Sequence, residues 1–89
     1  MSPKVLEALT ILQEECAEVI QNVSKIKRFG LNESYTGQET NRIRLEKEVG
    51  DVLAMVDFLI QEGVLEQVGL IQSKINKINK LRDFSNLYV

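Results

Sequence analysis

Apolar residues recur at helical spacing through the first third of the chain. Their stripe consists of Val5, Leu9, Leu12, Cys16, Val19, Ile20, Val23 and Ile26. Pro3 suits the first turn of a helix, and Ser2 before it is a typical N-cap residue. Gly30, which follows two basic residues, is a typical stop signal. The pattern therefore predicts a long amphipathic helix from Pro3 to about Arg28.

Two further helical patterns follow a polar segment. Residues 30–41 are rich in Gly, Asn, Ser and Thr and show no periodicity, which predicts a loop. Helices are predicted over residues 41–62 and 65–84, and we expect the last one to be interrupted near Gly69. Their apolar stripes are Leu45, Val49, Val52, Val56 and Leu59 in the first, and Val68, Ile71, Ile75 and Ile78 in the second.

These patterns predict an all-α protein. The sequence has no strand signal, no internal repeat and no sign of a second domain, so residues 1–89 are expected to form one domain. The expected architecture is an antiparallel helical bundle of three to four helices. A monomer of this size buries a modest share of its surface, so we expect a homodimer or homotetramer whose subunits complete the bundle.

Composition narrows the class of protein. A hydrophobic content of 44% with 27% charged residues is typical of a globular chain. The net charge of −2 argues against a nucleic-acid partner, because such proteins usually carry a basic excess. A single cysteine, Cys16, and the absence of histidine exclude an internal disulfide and the usual zinc sites. Without a membrane-length apolar run or a signal-peptide pattern, we expect a soluble cytoplasmic protein with no membrane partner.

Carboxylates on the first two predicted helices are the main candidates for chemistry. At about 100° per residue, Glu15 and Glu18 share a face with Ile11, beside the apolar stripe. Exposed glutamates at this spacing are ordinary in helices. This pair, taken alone, is therefore explained most simply as a solvated acidic face.

The second helix carries a more informative acidic pair. Glu48 falls inside the apolar stripe, between Leu45 and Val52, and Asp51 lies beside Met55 on the same side. Burying an ionised carboxylate costs several kcal/mol unless a cation or hydrogen-bond donors compensate. The pair therefore requires either a divalent ion or an internal ion-pair network with Lys or Arg. All-oxygen ligation favours Mg²⁺, Mn²⁺ or Ca²⁺ over zinc.

Two short motifs contain these acids. Residues 14–18 read EECAE, of the form EExxE, and residues 48–51 read EVGD, of the form ExxD. Together they resemble the MazG-like, all-α nucleoside triphosphate pyrophosphohydrolase superfamily. The resemblance implies Mg²⁺-dependent hydrolysis, with Mn²⁺ as a substitute, of a (deoxy)nucleoside triphosphate to the monophosphate and pyrophosphate by a dimer or tetramer. The metal ligands and catalytic residues that it implies are Glu15, Glu18, Glu48 and Asp51.

Candidate substrate contacts come from the first and last helices. Ile11 and Asn22 share the face of the first acidic pair, and Ile11 is a candidate for the base pocket. The family commonly has a lysine, an asparagine and further basic residues in its last helix. The segment KINKINKLR offers Lys74, Asn79 and Arg82 for these places, although Asn79 lies one position beyond the expected asparagine. A solvated basic face explains the remaining lysines of this segment.

Two alternatives remain. Phosphoribosyl-ATP pyrophosphohydrolases of the same superfamily usually carry an aromatic residue and a histidine soon after the acidic pair, whereas this chain continues DVLAM and has no histidine. A non-enzymatic helical dimerisation module would pair the acids with Lys and Arg of a partner helix. The inward position of Glu48 argues against it.

Overall fold

A computed structural model describes residues 1–34 and 37–88, and within them lie three α-helices and no strand. The helices are α1 (Pro3–Phe29), α2 (Asn41–Gln61) and α3 (Gln67–Phe84). The all-α class is confirmed, and each helix begins and ends within two residues of its predicted bounds. The expected interruption at Gly69 was wrong, because one glycine in a helix interior costs only about 1 kcal/mol.

Local sequence signals set the helix ends. The Ser2 hydroxyl accepts a hydrogen bond from the Val5 amide at 3.1 Å, and Pro3 occupies the first helical position of α1. Thr40 caps α2 in the same way by accepting from the Ile43 amide at 3.3 Å. Gly30 ends α1 with a φ of 103°, a backbone conformation that other residues rarely adopt.

Helices α1 and α2 form an antiparallel hairpin that is closed at both ends. At the loop end, the Asn22 side-chain amide donates to the Asn41 backbone carbonyl at 3.2 Å. The Asn41 side-chain amide donates in turn to the Gly30 backbone carbonyl at 2.9 Å. Asn41 is completely buried. At the open end, the Lys4 ammonium pairs with Glu62 at 3.3 Å. These contacts fix how the two helices align along their length.

The protomer is thin and flat, with extents of 40, 36 and 14 Å. Its radius of gyration is 15.9 Å, against about 12 Å for a compact chain of this length. Its smallest extent is 14 Å, little more than the diameter of one helix with side chains, about 10–12 Å. The extensive helix contact is between α1 and α2, and no described residue of α3 is buried. The helices therefore form a single layer.

Much of the predicted apolar pattern lies at the surface of this layer. The buried apolar side chains are Val5, Ala8 and Leu59. On α3, Val68 is 72% exposed and Ile71 is 54% exposed. The stripe on α3 makes no extensive contact with α1 or α2, so the described residues of one protomer do not form a closed bundle. No helix among the described residues has the length and apolar character needed to cross a membrane.

Candidate metal centre

The hairpin brings three of the four predicted ligands together. Glu15 extends from the middle of α1, and Glu48 and Asp51 extend from the first half of α2. One carboxylate oxygen from each residue lies within 4.8 Å of the others. The spacing i, i+3 places the two α2 acids on one side of that helix, toward α1. Glu48 is half-buried there, whereas Asp51 is exposed because no third helix covers this side.

Glu18, the fourth predicted ligand, lies just outside this trio. It is one helical turn beyond Glu15 on α1, it is exposed, and its oxygens are not within the 4.8 Å cluster. Its charge nevertheless acts on Glu15, so it belongs to the same electrostatic neighbourhood. Glu14, which completes the EExxE motif, is exposed on α1 outside the cluster.

The carboxylates repel one another. Partial burial between the helices raises the pKa of Glu15 above its ordinary value of 4.5, and the neighbouring Asp51 raises it further. The hydrogen bond that a protonated Glu15 can share with Asp51 acts in the same direction, as do the charges of Glu48 and Glu18. Every influence on this pKa raises it, and none comes from a cation.

An internal ion-pair network would require a lysine or arginine at this cluster. The ion pairs Lys4–Glu62 and Lys47–Glu39 both lie away from it. The predicted phosphate ligands Lys74, Asn79 and Arg82 are exposed on α3, and Arg82 lies over the Tyr88 ring at 5.6 Å. Within one protomer, α3 therefore does not bring its basic residues to the acids.

The cluster fits a hard divalent ion. Oxygen ligands at about 2.0–2.6 Å from one ion are separated by at most about 4–5 Å, so the three carboxylates need only small side-chain rotations to share it. A set of oxygen donors, with no histidine in the sequence, selects Mg²⁺, Mn²⁺ or Ca²⁺. The ion would also offset the repulsion that raises the pKa of Glu15.

Two small cavities lie along this face of the hairpin. Ile11 and Met55 separate them and belong to both. The first, of about 220 Å³, is lined by Ile11, Glu15, Asp51, Ala54 and Met55. The second, of about 350 Å³, is lined by Lys4, Glu7, Ala8, Ile11, Met55 and Phe58. Ile11 therefore lies beside the acids, as its helical projection predicted.

Asn22 occupies a different position from the one its projection indicated. It is buried, and its amide closes the hairpin through the Asn41 carbonyl rather than pointing into either cavity. The sequence reasoning also missed Met55 and Phe58 as members of the candidate site. Their spacing from Asp51, four and seven residues along α2, is the signal that places all three on one face.

The chain is thus an all-α protein whose helical hairpin carries carboxylates suited to a hard divalent cation. The family model of the MazG nucleotide pyrophosphohydrolase domain matches residues 4–82, nearly the whole chain. The chain belongs to this family, whose members are metal-dependent, and the resemblance indicated by the EExxE and ExxD motifs is confirmed. No curated protein and no solved structure gives a significant match.

We expect Glu15→Gln to stabilise the metal-free protein at neutral pH. Because folding raises the pKa of Glu15, its contribution to stability is present below the unfolded-state pKa and is lost as pH rises through the folded-state pKa. Thermal denaturation in a chelator, from about pH 4 to about pH 8, should give melting temperatures that diverge in favour of the variant as pH rises.

Glu14→Gln is the matched control, since it removes the same charge from the same helix outside the cluster. It should leave the pH dependence close to that of the wild-type protein. A lower melting temperature for Glu15→Gln at neutral pH would mean that a cation already compensates this carboxylate, as in an ion-pair network.

Proposed function

We propose that this protein is a divalent-metal-dependent hydrolase that cleaves a (deoxy)nucleoside triphosphate to the monophosphate and pyrophosphate. The reaction consumes one water and breaks the anhydride bond between the α- and β-phosphates. The observation that supports this most directly is the cluster of Glu15, Glu48 and Asp51, in which the neighbouring carboxylates raise the pKa of Glu15 and no cation lowers it. Membership of a nucleotide pyrophosphohydrolase family restricts the class of reaction.

The acidic residues of the chain have separate roles in the reaction. Glu15, Glu48 and Asp51 hold the ion, which is Mg²⁺ with Mn²⁺ as a substitute, and Glu18 either completes the ligand set or accepts the proton that the attacking water loses. When bound, the ion supplies charge neutralisation at the phosphate oxygens and lowers the pKa of a bound water. The whole chain, residues 1–89, acts as one domain in this proposal.

A second copy of the chain completes the site in this proposal. A groove of about 330 Å³ between α1 and α2 is lined almost entirely by apolar atoms, from Cys16, Val19, Ile20, Val49 and Val52. Its lining shares no residue with the carboxylate cavity. The exposed apolar stripe of α3 provides a surface of matching character, and burial of both surfaces favours association. The expected assembly is a homodimer or homotetramer.

The same assembly explains the separation of the basic residues from the acids. Lys74, Asn79 and Arg82 are on α3, which has no buried residue and makes no extensive contact with its own hairpin. If α3 packs against another copy, these side chains can approach the phosphates of a nucleotide bound there. Lys74 and Arg82 would then stabilise the charge of the departing pyrophosphate.

The activity is tested by incubating the protein with each of the eight common NTPs and dNTPs, and with phosphoribosyl-ATP, in the presence of Mg²⁺. Monophosphate and pyrophosphate are the expected products. Glu48→Gln should lower turnover by more than about 100-fold, because removal of an outer-shell partner alone typically costs about 10–100-fold. Glu46→Gln, an exposed glutamate on the same helix, is the control and should retain turnover.

Circular dichroism of both variants establishes that the helices are intact. Full activity in Glu48→Gln would contradict the assignment of the metal ligands. Orthophosphate as the product would mean that a different phosphate bond is cut.

The assembly is tested by light scattering after size-exclusion chromatography. The wild-type protein should have a mass of two or four times 10.1 kDa. Ile75→Lys places a charge in the exposed stripe of α3, so it should shift the protein toward the monomer and lower turnover by at least about tenfold. Ser73→Lys adds the same charge to α3 outside the stripe and should change neither property. A wild-type monomer that is fully active would contradict the proposed assembly.

A further inference from the structure

The larger cavity on the metal face of the hairpin has the features of a site for a flat, partly polar ligand. Its volume of about 350 Å³ is within the range of small-molecule sites, about 300–1,000 Å³. Ala8, Ile11 and Met55 give it apolar walls, and the Phe58 ring adds a planar aromatic surface. Aromatic rings of this kind stack on nucleobases, because every base has a π-face.

The position of this cavity relative to the carboxylates suits a nucleotide. The two cavities adjoin through the shared residues Ile11 and Met55. Along α1, Glu7 is eight residues before Glu15, which corresponds to about 12 Å at 1.5 Å per residue. A nucleotide whose phosphates lie at the carboxylates can therefore extend its sugar past Ile11 and its base to Phe58.

Two charged groups of opposite sign border the cavity. The Lys4 ammonium lies 3.3 Å from Glu62 and over the face of the Phe58 ring, 5.4 Å from its centre. The Glu7 carboxylate lines the cavity and has no hydrogen bond or ion pair among the described residues. The site thus combines a positioned donor with an acceptor group whose two oxygens are free.

The acceptor pattern discriminates between bases. An ionised carboxylate accepts hydrogen bonds and donates none, and it binds most strongly where two adjacent donors face it. Guanine presents adjacent donors at N1 and N2 and an acceptor at O6. Uracil and thymine present one donor flanked by two carbonyl oxygens, which a carboxylate repels. Adenine and cytosine each offer one exocyclic amino group.

We propose that this cavity is the nucleobase site and that it selects guanine: Glu7 accepts from N1–H and N2–H, Lys4 moves off the face of the Phe58 ring to donate to O6, and the ring face that it uncovers stacks on the base. The inference rests on the proposed function for the placement of the phosphates. It goes beyond that function by naming the substrate class, guanine nucleoside triphosphates.

The test separates base recognition from catalysis. Binding of GMP, AMP, CMP and UMP to the metal-free protein is measured by calorimetry and by amide chemical shifts. GMP should bind at least about tenfold more tightly than UMP, with the shifts concentrated at residues 4–11 and 55–58. The kcat/KM values for GTP and UTP in Mg²⁺ should differ in the same direction.

Glu7→Gln provides the decisive variant, because an amide offers one donor and one acceptor and so matches uracil better than guanine. It should reduce the preference for GMP over UMP by about tenfold or more without unfolding the exposed start of α1. Glu46→Gln, at an exposed glutamate of α2 that does not line the cavity, should leave that preference unchanged. Phe58→Leu should weaken binding of all four monophosphates while keeping the volume of the side chain similar.

The outcomes distinguish this inference from the proposed function. Hydrolysis of triphosphates with no preference for guanine, or an unchanged preference in Glu7→Gln, would overturn the guanine site and leave the hydrolase standing. Selective GMP binding that depends on Glu7, without hydrolysis of any triphosphate, would support the site and overturn the hydrolase.

Discussion

Mutual repulsion between carboxylates is the unfavourable interaction that the other contacts of the hairpin must offset. Glu15 on one helix meets Glu48 and Asp51 on the next, with oxygens within 4.8 Å, and folding raises the pKa of Glu15 rather than lowering it. A hairpin that brings such groups together needs other contacts to keep it closed. The buried Asn22–Asn41 contact provides them at one end, and the Lys4–Glu62 ion pair provides them at the other.

The protomer is thin because its helices bury few side chains against one another. The three buried apolar side chains among residues 1–34 and 37–88 are a small core, and chains of this size have little stability to offset a polar site. The apolar groove on the hairpin and the stripe on α3 are the surfaces through which association would add stability. In the proposed assembly, association also supplies the basic residues that the acidic cluster lacks, so stability and chemistry depend on the same contact.

Much of the fold was predictable from sequence because its signals are local. The N-caps at Ser2 and Thr40, the stop at Gly30 and the helical periodicity depend on neighbouring residues only. The position of Glu48 on α2 was predictable for a related reason: a charge inside an apolar stripe lies on the side of the helix that the stripe occupies. Asp51, which was also expected to face inward, is exposed. Ile11 and Asn22 were both expected on the acidic face of α1. Ile11 lies beside the acids, whereas the Asn22 side chain closes the hairpin.

The features that sequence could not supply are those that depend on distance between elements. Periodicity indicates that Ile71 and Ile75 require a partner, but it does not say whether that partner belongs to the same copy, and in the protomer both side chains are about half exposed. Likewise, i, i+3 spacing predicts that Glu15 and Glu18 project together. Which of them approaches the α2 acids depends on how the helices cross, and only Glu15 joins the trio.

Metal binding by these carboxylates can be measured by titrating the metal-free protein with Mn²⁺. Electron paramagnetic resonance follows the free ion and so reports how much of a hard divalent cation the protein binds. We expect at least one bound Mn²⁺ per protomer, displaced by Mg²⁺. Binding should be lost in Asp51→Asn and retained in Asp57→Asn, an exposed aspartate on the same helix. Binding of Mn²⁺ to Asp51→Asn as tight as to the wild-type protein, or no binding by the wild-type protein, would contradict a metal site at these carboxylates.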